Sequence, residues 1–492
     1  MNPKEFRKLG YQLVDQIADF LGSLPDRSVT PGEKPSAVRK ILGDASLPDN
    51  GTDPKLLLEE AAGALFDHSL FNGHPRFLGY ITSSAAPIGM LGDLLASAVN
   101  PNVGAWILSP MVSEIESQTI RWLAEMIGYP ENCGGLLVSG GTMANFVGFL
   151  AGRRAKVTWD IRSKGFSEER KNPRIYASKE THTWLEKAAD LFGFGTDAIC
   201  WIPTKPDQKI DVRILEQRIL EDQEAGYLPI MVVGAAGTVS TGAVDPLPQL
   251  AAVCRKYDLW FHVDGAYGAA AAVLPEASDD LKGLAEADSV ALDPHKWLYS
   301  PLEAGCVLVQ DARLLKDTFS FHPEYYHFGG KSTDEPTNYY EYGLQNSRGF
   351  RALKVWLSLR HVGRSGYEQM IRDDIALAHA LYKAVAEEPL LEALTCSLSI
   401  TTFRYVPDDL PTGFDRTESY LNELNEELLD RLQSGGEAFV SNAMVGGKYA
   451  LRSCIVNFRT SLKDIEVLPE IVVRLGKEVD AELRPENLKV MQ

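Results

Sequence analysis

The architecture of this chain is organised around the stretch Ser289-Val290-Ala291-Leu292-Asp293-Pro294-His295-Lys296, a short apolar run that leads to a single lysine. About one βα unit upstream lies the stretch Leu259-Trp260-Phe261-His262-Val263-Asp264-Gly265-Ala266, an apolar run that ends in a carboxylate and two small residues. Such runs are typical of buried strands in an α/β sheet, where small residues let a ligand approach the backbone. The two stretches therefore predict two buried strands, one ending in an acid and the other leading to an amine.

An acid and an amine at two strand ends fit one cofactor chemistry well. Pyridoxal phosphate (PLP) forms a Schiff base with a lysine through its aldehyde, and its ring nitrogen needs a carboxylate partner. Taken singly, a lysine after an apolar run is more often a solvated strand end, and an aspartate is more often a cap. Because both occur together, we predict that Lys296 carries the cofactor and that Asp264 keeps its pyridinium nitrogen protonated.

A glycine pair offers a place for the phosphate. The stretch Ser139-Gly140-Gly141-Thr142 follows a predicted strand at 135–138 and precedes a predicted helix. Backbone N–H groups at the start of a helix form a cradle for an anion. Hydroxyls and glycines around Thr238 follow another predicted strand, at 230–233, and sites in such sheets lie beyond the carboxyl ends of the strands.

The sequence resembles a known family at these positions. His-Val-Asp-Gly-Ala-Tyr-Gly at 262–268, followed by Asp-Pro-His-Lys-Trp at 293–297, resembles the group II PLP-dependent decarboxylases. This family includes aromatic-L-amino-acid, histidine and glutamate decarboxylases. The likeness extends over nearly the whole chain, from His74-Pro75-Arg76-Phe77 to the C-terminal region.

The resemblance implies an α/β fold of the PLP-dependent transferase type (fold type I, aspartate-aminotransferase-like). It implies a large domain with a mostly parallel seven-stranded sheet, a small C-terminal α+β domain and an N-terminal helical segment. The implied division is residues 1–85, 86–345 and 346–492. Independently of the resemblance, the sequence pattern predicts a long helix over 343–361 that leads into the last part. The resemblance also implies a homodimer in which the N-terminal segment packs on the partner subunit and the active sites lie at the subunit interface.

The resemblance also assigns roles at matching positions. A histidine lies flat on the cofactor ring, and a tyrosine in a long loop after residue 319 protonates the carbanion left by carbon dioxide. The catalytic residues so implied are Lys296, His182, Tyr325 and Asp264, with Tyr326 as a near rival for the loop tyrosine. The cofactor-binding residues are Gly141, Thr142, His182, Thr238, Asp264, Ala266, His295 and Lys296. The substrate-binding residues are Tyr80, Ile81 and Gly104.

Two positions depart from the family pattern. Asp293 stands where many members have an asparagine that hydrogen-bonds the phosphate, and a carboxylate there would repel the phosphate unless it is turned away or paired. Gly104 stands where the aromatic-amino-acid enzymes have a large aromatic residue contributed by the partner subunit, and loss of that ring would widen the pocket. Tyr80 favours an aromatic substrate, whereas Gly104 and Ile81 permit a larger or differently shaped one.

The expected reaction is decarboxylation of an L-amino acid, with an aromatic one favoured. A non-aromatic substrate on the same fold remains open, as does a carbon–sulfur or retro-aldol lyase. An aldehyde synthase, which uses oxygen on the same intermediate, is implied by phenylalanine at the loop position, and Tyr325 argues against it. A catalytically silent scaffold would lack the combination of lysine, aspartate, histidine and tyrosine.

Composition limits the remaining possibilities. The chain has 492 residues, which is too long for one hydrophobic core, so two or three packed units are expected. Its net charge of −18 disfavours nucleic acids and anionic membranes as partners. The six cysteines show no metal-ligand spacing, so no metal site is predicted and reduced cysteines in a cytoplasmic protein are expected. No window is long and apolar enough for a membrane helix, and the N-terminus lacks a secretory signal.

Overall fold

The computed structural model describes residues 1–166, 172–321, 336–410 and 414–488. The chain forms two compact units. The terminal unit consists of Met1–Ser84 and Ala376–Gln492, and the central unit consists of Ala85–Ile375. The three-part division at 1–85, 86–345 and 346–492 stays a prediction.

The secondary structure of the described residues alternates between strands and helices through the central unit. The strands are β1 (Gly134–Val138), β2 (Pro173–Ser178), β3 (Ile199–Ile202), β4 (Leu228–Ala235), β5 (Trp260–Asp264), β6 (Ser289–Leu292), β7 (Gly305–Val309), β8 (Leu391–Ser397), β9 (Ile400–Tyr405), β10 (Ser441–Val445) and β11 (Lys448–Cys454). The α-helices are α1 (Pro3–Ser23), α2 (Pro35–Leu42), α3 (Pro54–Asp67), α4 (Pro87–Val99), α5 (Pro110–Met126), α6 (Gly141–Lys156), α7 (Ile161–Lys164), α8 (Trp184–Leu191), α9 (Val212–Glu224), α10 (Leu247–Tyr257), α11 (Ala312–Phe319), α12 (Ala352–Glu387), α13 (Asp415–Gly435) and α14 (Leu462–Leu483).

The central unit is built on one seven-stranded sheet. Its spatial order is β1-β7-β6-β5-β4-β2-β3. Strand β7 runs antiparallel to both β1 and β6, and the other neighbours pair in parallel. The strands are apolar along most of their length because helices cover both faces of such a sheet. The prediction of a mostly parallel seven-stranded sheet is confirmed.

Helix α6 packs on this sheet through two glycines. A Cβ on Gly148 would lie 2.7 Å from Cε1 of His262 on β5, and a Cβ on Gly152 would collide with Met231 on β4. The last turn of α6 carries three basic residues, which suit the negative end of the helix dipole. The close packing fixes the first turn of α6 at the carboxyl end of β1.

The terminal unit contains an antiparallel sheet in the order β10-β11-β9-β8. Helices α13 and α14 supply Leu424 and Val472 to a buried core with Phe403 of β9. Near the chain start, Phe20 of α1 stacks on Phe66 of α3 with ring centroids 4.4 Å apart. The sequence pattern predicts strands over 398–405 and 449–458 and helices over 417–432 and 465–479, which correspond to β9, β11, α13 and α14, but it predicts neither β8 nor β10.

Helix α12 begins later than the sequence predicted. The predicted helix starts at residue 343, whereas the structure has α12 begin at Ala352. The nine residues before it include Gly343 and Gly349, and Arg348 among them is buried in an ion pair with Glu116 of α5. Glycines and the demand of that buried pair hold this segment in an irregular conformation.

Within the described part of the chain, every helix is too short or too polar to span a bilayer.

Candidate active site

The predicted lysine follows β6 at the carboxyl edge of the central sheet. Its backbone N–H donates to the Asp293 carbonyl over 2.9 Å, which closes a tight turn after the strand. The Lys296 side chain is 22% exposed, and its Nζ lies 3.2 Å from Oδ2 of Asp293. The amine is therefore accessible and held at the strand end.

The predicted acid ends the neighbouring strand. Strands β5 and β6 pair in parallel, with Asp264 opposite Ala291. Asp264 Oδ2 accepts a hydrogen bond from Trp184 Nε1 over 2.8 Å, and Oδ1 accepts one from the Ala266 N–H over 3.2 Å. Two donors, one on each oxygen, fix the orientation of the carboxylate. The structure thus brings Asp264 and the lysine turn to one edge of the sheet.

The predicted histidine belongs to the same group. His182 precedes α8, and its Nδ1 accepts the backbone N–H of Trp184 over 3.2 Å. His182 as a whole residue is exposed, but its ring is partly buried, and this burial lowers the pKa of His182. The charges of Asp264 and Asp293 act in the opposite direction, whereas Lys296 adds to the lowering. A neutral imidazole beside these charges suits a ring that stacks on a cofactor or accepts a proton.

The glycine turn forms a cradle at the start of α6. A Cβ on Gly141 would lie 2.7 Å from Asp293 Oδ2 and 3.1 Å from the Ala266 Cβ, so a side chain would fill this space. A Cβ on Gly140 would lie 3.3 Å from Cε1 of His295. The first turn of α6 supplies unpaired N–H groups, and Thr142 adds a hydroxyl. This donor set fits a phosphate group.

His295 and Asp293 belong to the same turn as Lys296. The Ala304 N–H donates to His295 Nδ1 over 3.1 Å, so the ring carries its proton on Nε2. That Nε2 lies 3.7 Å from Asp293 Oδ2. Burial lowers the pKa of His295, and Asp293 opposes this effect. His295 is therefore a neutral donor that faces the Asp293 carboxylate.

The remaining central-unit residues have clear structural settings. Thr238 is buried in the loop after β4, where its Oγ1 lies 3.1 Å from Thr241 Oγ1. A Cβ on Gly104 would collide with the carbonyl oxygen of Asn346, so glycine lets two backbone segments approach closely. The parts of Thr238 in cofactor binding and of Gly104 in substrate binding stay predictions.

Two pairs of predicted residues lie outside the set that the structure brings together at this site. Tyr80 and Ile81 belong to the terminal unit, where Tyr80 is 53% exposed and its N–H donates to Ser441 Oγ over 3.2 Å. Their part in a substrate pocket stays a prediction. Tyr325 and Tyr326 lie outside the described residues.

Sequence reasoning missed a carboxylate that holds the lysine segment in place. Oδ2 of Asp374 on α12 accepts hydrogen bonds from Trp297 Nε1 over 2.9 Å and from Tyr299 OH over 2.6 Å. Tyr367 OH donates to the Leu298 carbonyl over 3.1 Å. Burial raises the pKa of Asp374 to about 7. No local signal marks this residue, because its partners lie about 75 positions away in the sequence.

Trp184 is a second residue that the sequence analysis missed. It is buried, it donates to Asp264, and its ring meets the His262 ring edge-on with centroids 5.5 Å apart. His262 is in turn held by Ser289 Oγ and Asn145 Oδ1, each 2.7 Å from a ring nitrogen. Burial lowers the pKa of His262 to about 4, so this support beneath Asp264 is uncharged.

A comparison of sequences identifies the family. The profile of the pyridoxal-dependent decarboxylase conserved domain matches residues 35–405. The chain belongs to the pyridoxal-dependent decarboxylase family. An aromatic-L-amino-acid decarboxylase of Bacillus atrophaeus is 36% identical over 480 residues, which cover 97% of each chain. A phenylacetaldehyde synthase of a Rosa hybrid cultivar is 29% identical over 474 residues, which cover 94% of this chain and 92% of that one.

A solved structure agrees with this assignment to the decarboxylase family. The crystal structure of Oryza sativa TDC with PLP and tryptamine has a TM-score of 0.89 and 28% identity, and covers 97% of this chain and 99% of that one. The protein is a PLP-dependent amino-acid decarboxylase with the α/β fold of that class. The predicted family, fold class, cofactor and reaction class are confirmed. The cradle at Gly141 and the acid–amine pair are features that fit this cofactor.

Proposed function

We propose that this decarboxylase removes the α-carboxylate of an aromatic L-amino acid as carbon dioxide and leaves the amine. The observation that carries the chemistry is the parallel pairing of β5 with β6, which brings Asp264 and Lys296 to the edge where α6 begins. Two relatives support the aromatic side chain. One is the Bacillus enzyme, an aromatic-L-amino-acid decarboxylase, and the other is the rice protein, which was crystallised with tryptamine.

We assign a role to each predicted residue at the carboxyl edge of the central sheet. Lys296 would hold the cofactor through its amine, and Gly141 and Thr142 would hold the phosphate with N–H and hydroxyl groups. When bound, PLP supplies the sink for the electrons of the broken bond between Cα and the carboxylate. Asp264 would hold the ring nitrogen and favour its protonated form, while Trp184 donates to that carboxylate and fixes its position.

Two groups would handle the proton. His182 is close enough to Asp264 and Lys296 to be affected by their charges, and its pKa is lowered, so it is neutral near pH 7 and able to stack or accept a proton. We assign delivery of the proton to the substrate carbon to Tyr325, on the resemblance described above.

The aldehyde synthase is the second candidate. The Rosa relative carries out that type of reaction by name, and it covers as much of this chain as several decarboxylases do. The tyrosine at position 325 favours the decarboxylase. In this proposal Tyr325→Phe shifts the products from amine towards aldehyde and hydrogen peroxide, because the carbon no longer receives its proton.

We also propose a homodimer in the cytoplasm. Leu91, Leu94, Leu95 and Val99 form one exposed apolar face on α4. Ile107, Leu108 and Met111 follow it and are exposed as well. A contiguous apolar surface of this kind marks an interface, and a second copy of the chain would cover it. The cytoplasm is proposed because the six cysteines are free thiols.

The substrate can be tested with the PLP-loaded protein. Carbon dioxide, amine and hydrogen peroxide are measured with tyrosine, tryptophan, phenylalanine, dihydroxyphenylalanine, glutamate, histidine and ornithine. The proposal predicts equal amounts of amine and carbon dioxide from an aromatic acid, with neither product from Lys296→Ala. Turnover of a non-aromatic acid alone would refute the aromatic assignment, and aldehyde with peroxide would assign the protein to the synthase group.

A further inference from the structure

Asp293 is an unusual residue for the place it occupies. Its side chain is 2% exposed, and its Oδ1 has no hydrogen-bond partner within the described residues. Its Oδ2 lies 3.2 Å from Lys296 Nζ and 3.7 Å from His295 Nε2. A buried carboxylate with one unpaired oxygen is costly unless something else comes to bind it.

The Asp293 carboxylate lies at the phosphate cradle, with its Oδ2 nearest to the glycine turn. The Asp293 N–H donates to the Ala266 carbonyl over 3.2 Å, which holds the residue beside the start of α6. A Cβ on Gly141 would come within 2.7 Å of Asp293 Oδ2, so the carboxyl group borders the space that the phosphate would take. Two anions would then meet at a carboxyl group that is itself buried, where their repulsion is only weakly screened.

The surrounding groups do not supply the missing positive charge. On its own turn Asp293 Oδ2 lies 3.2 Å from Lys296 Nζ and 3.7 Å from His295 Nε2, and its charge also acts on His182 before α8 and on Cys306 of β7. Burial lowers the pKa of both histidines and raises the pKa of the cysteine, so all three are neutral near pH 7. Of these groups the lysine alone is a cation, and its nitrogen is the atom that bonds to the cofactor.

We propose that Asp293 takes up one proton from solvent when PLP binds, and then donates its O–H to the phosphate. The carboxylate becomes a carboxylic acid, and no other bond to this residue changes. The oxygen beside the cradle, Oδ2, is thereby converted from an acceptor into a donor, a role that an amide N–H would fill without taking up a proton. This inference rests on the proposed assignment of the cradle and of Lys296 to PLP.

The proton can be seen directly by infrared spectroscopy. A difference spectrum is recorded between PLP-loaded and cofactor-free protein, after unbound PLP is removed, in H₂O and in D₂O. We expect a new C=O stretch of a protonated carboxylic acid that shifts in D₂O and is missing in Asp293→Asn. The difference cancels the bands of acids whose protonation does not change when PLP binds.

Asp280→Asn is the matched control for this experiment. Asp280 also pairs with a lysine, Lys209, over 2.5 Å, but on the segment before β6 and away from the glycine turn. The control must keep the new band. If the PLP-loaded wild-type protein shows no such band, the proposal is overturned, whether or not Asp293→Asn folds. A band that persists in Asp293→Asn also overturns it, because another acid then holds the proton.

The affinity for PLP provides a second readout. Because the loaded state holds a proton that the free state lacks, affinity is greatest at low pH and falls as the pH rises through the interval between the two carboxyl pKa values. In a series from about pH 5 to about pH 9, the wild-type Kd should rise more steeply with pH than that of Asp293→Asn, by up to about tenfold per pH unit. Equal pH dependence refutes the proton uptake. Failure of wild-type protein to bind PLP at all refutes the proposed function itself.

Discussion

Replacing Asp374 with asparagine should change how the stability of the protein depends on pH. Oδ2 of this buried carboxylate accepts hydrogen bonds from Trp297 and Tyr299, on either side of the turn that follows Lys296. Asparagine has nearly the same size, and its carbonyl oxygen can accept the same two bonds. The substitution therefore removes the titratable group and keeps most of the contacts.

The size and sign of the effect follow from the pKa of Asp374. Burial raises this pKa from the ordinary value of 3.8 to about 7. Between these pH values the folded protein holds a proton that the unfolded chain has lost, so the free energy of unfolding falls as the pH rises. Above about pH 7 both states have lost the proton, so the free energy of unfolding stops falling. From about pH 5 to pH 8 it amounts to about 3 kcal/mol, at about 1.4 kcal/mol per pH unit.

Urea-induced unfolding at about pH 5 and pH 8 measures this difference. We expect Asp374→Asn to gain about 3 kcal/mol relative to wild type between the two pH values. Asp373→Asn is the matched control, because Asp373 is the exposed neighbour of this residue and makes only the smallest contribution to the raised pKa of Asp374, so its variant should nearly follow wild type. Parallel pH profiles for wild type and Asp374→Asn would refute the reasoning, since Asp374 would then be ionised in the folded protein as in the unfolded chain.

Three further substitutions test the packing around the site. Gly141→Ala should weaken PLP binding about tenfold or more, about 1.4 kcal/mol, because the methyl group meets Asp293; an absorbance titration with unchanged Kd would contradict this. Gly104→Ala should lower the free energy of unfolding by about 1–3 kcal/mol, because its Cβ meets the Asn346 carbonyl; an unchanged urea midpoint would count against that contact. Glu116→Ala should cost about 3–5 kcal/mol, because it leaves a buried guanidinium unpaired; a loss below about 1 kcal/mol in the same assay would show that water reaches the guanidinium.

The parts of the site that sequence could predict are those with a local signal. Asp264 and Lys296 follow short apolar runs, and small residues come after the acid, so the pattern itself marks both positions as strand ends. Gly141 is marked in the same way by a glycine pair between a strand and a helix. Hydrophobic periodicity and local composition are read over a few neighbouring residues, and these features depend on no residues farther away.

Other features depend on partners far away in the sequence. Trp184 donates to a carboxylate 80 positions later, and Asp374 accepts from residues about 75 positions earlier. The β8 strand contains Glu392 and Ala393, which favour helix, and it becomes a strand because it pairs with β9. Asp293 was recognised as a departure from the family pattern, but its unpaired Oδ1 and its distance from Lys296 required the folded structure.

The assignment of PLP to the lysine after β6 can be tested by trapping the bound cofactor. The loaded protein is treated with borohydride, which makes the bond between PLP and the amine permanent, and is then digested and analysed by mass spectrometry. We expect one PLP adduct per chain, on Lys296, and none at that position in Lys296→Ala. An adduct on a different lysine, or loaded wild-type protein without an adduct, would contradict the assignment of this edge of the sheet as the active site.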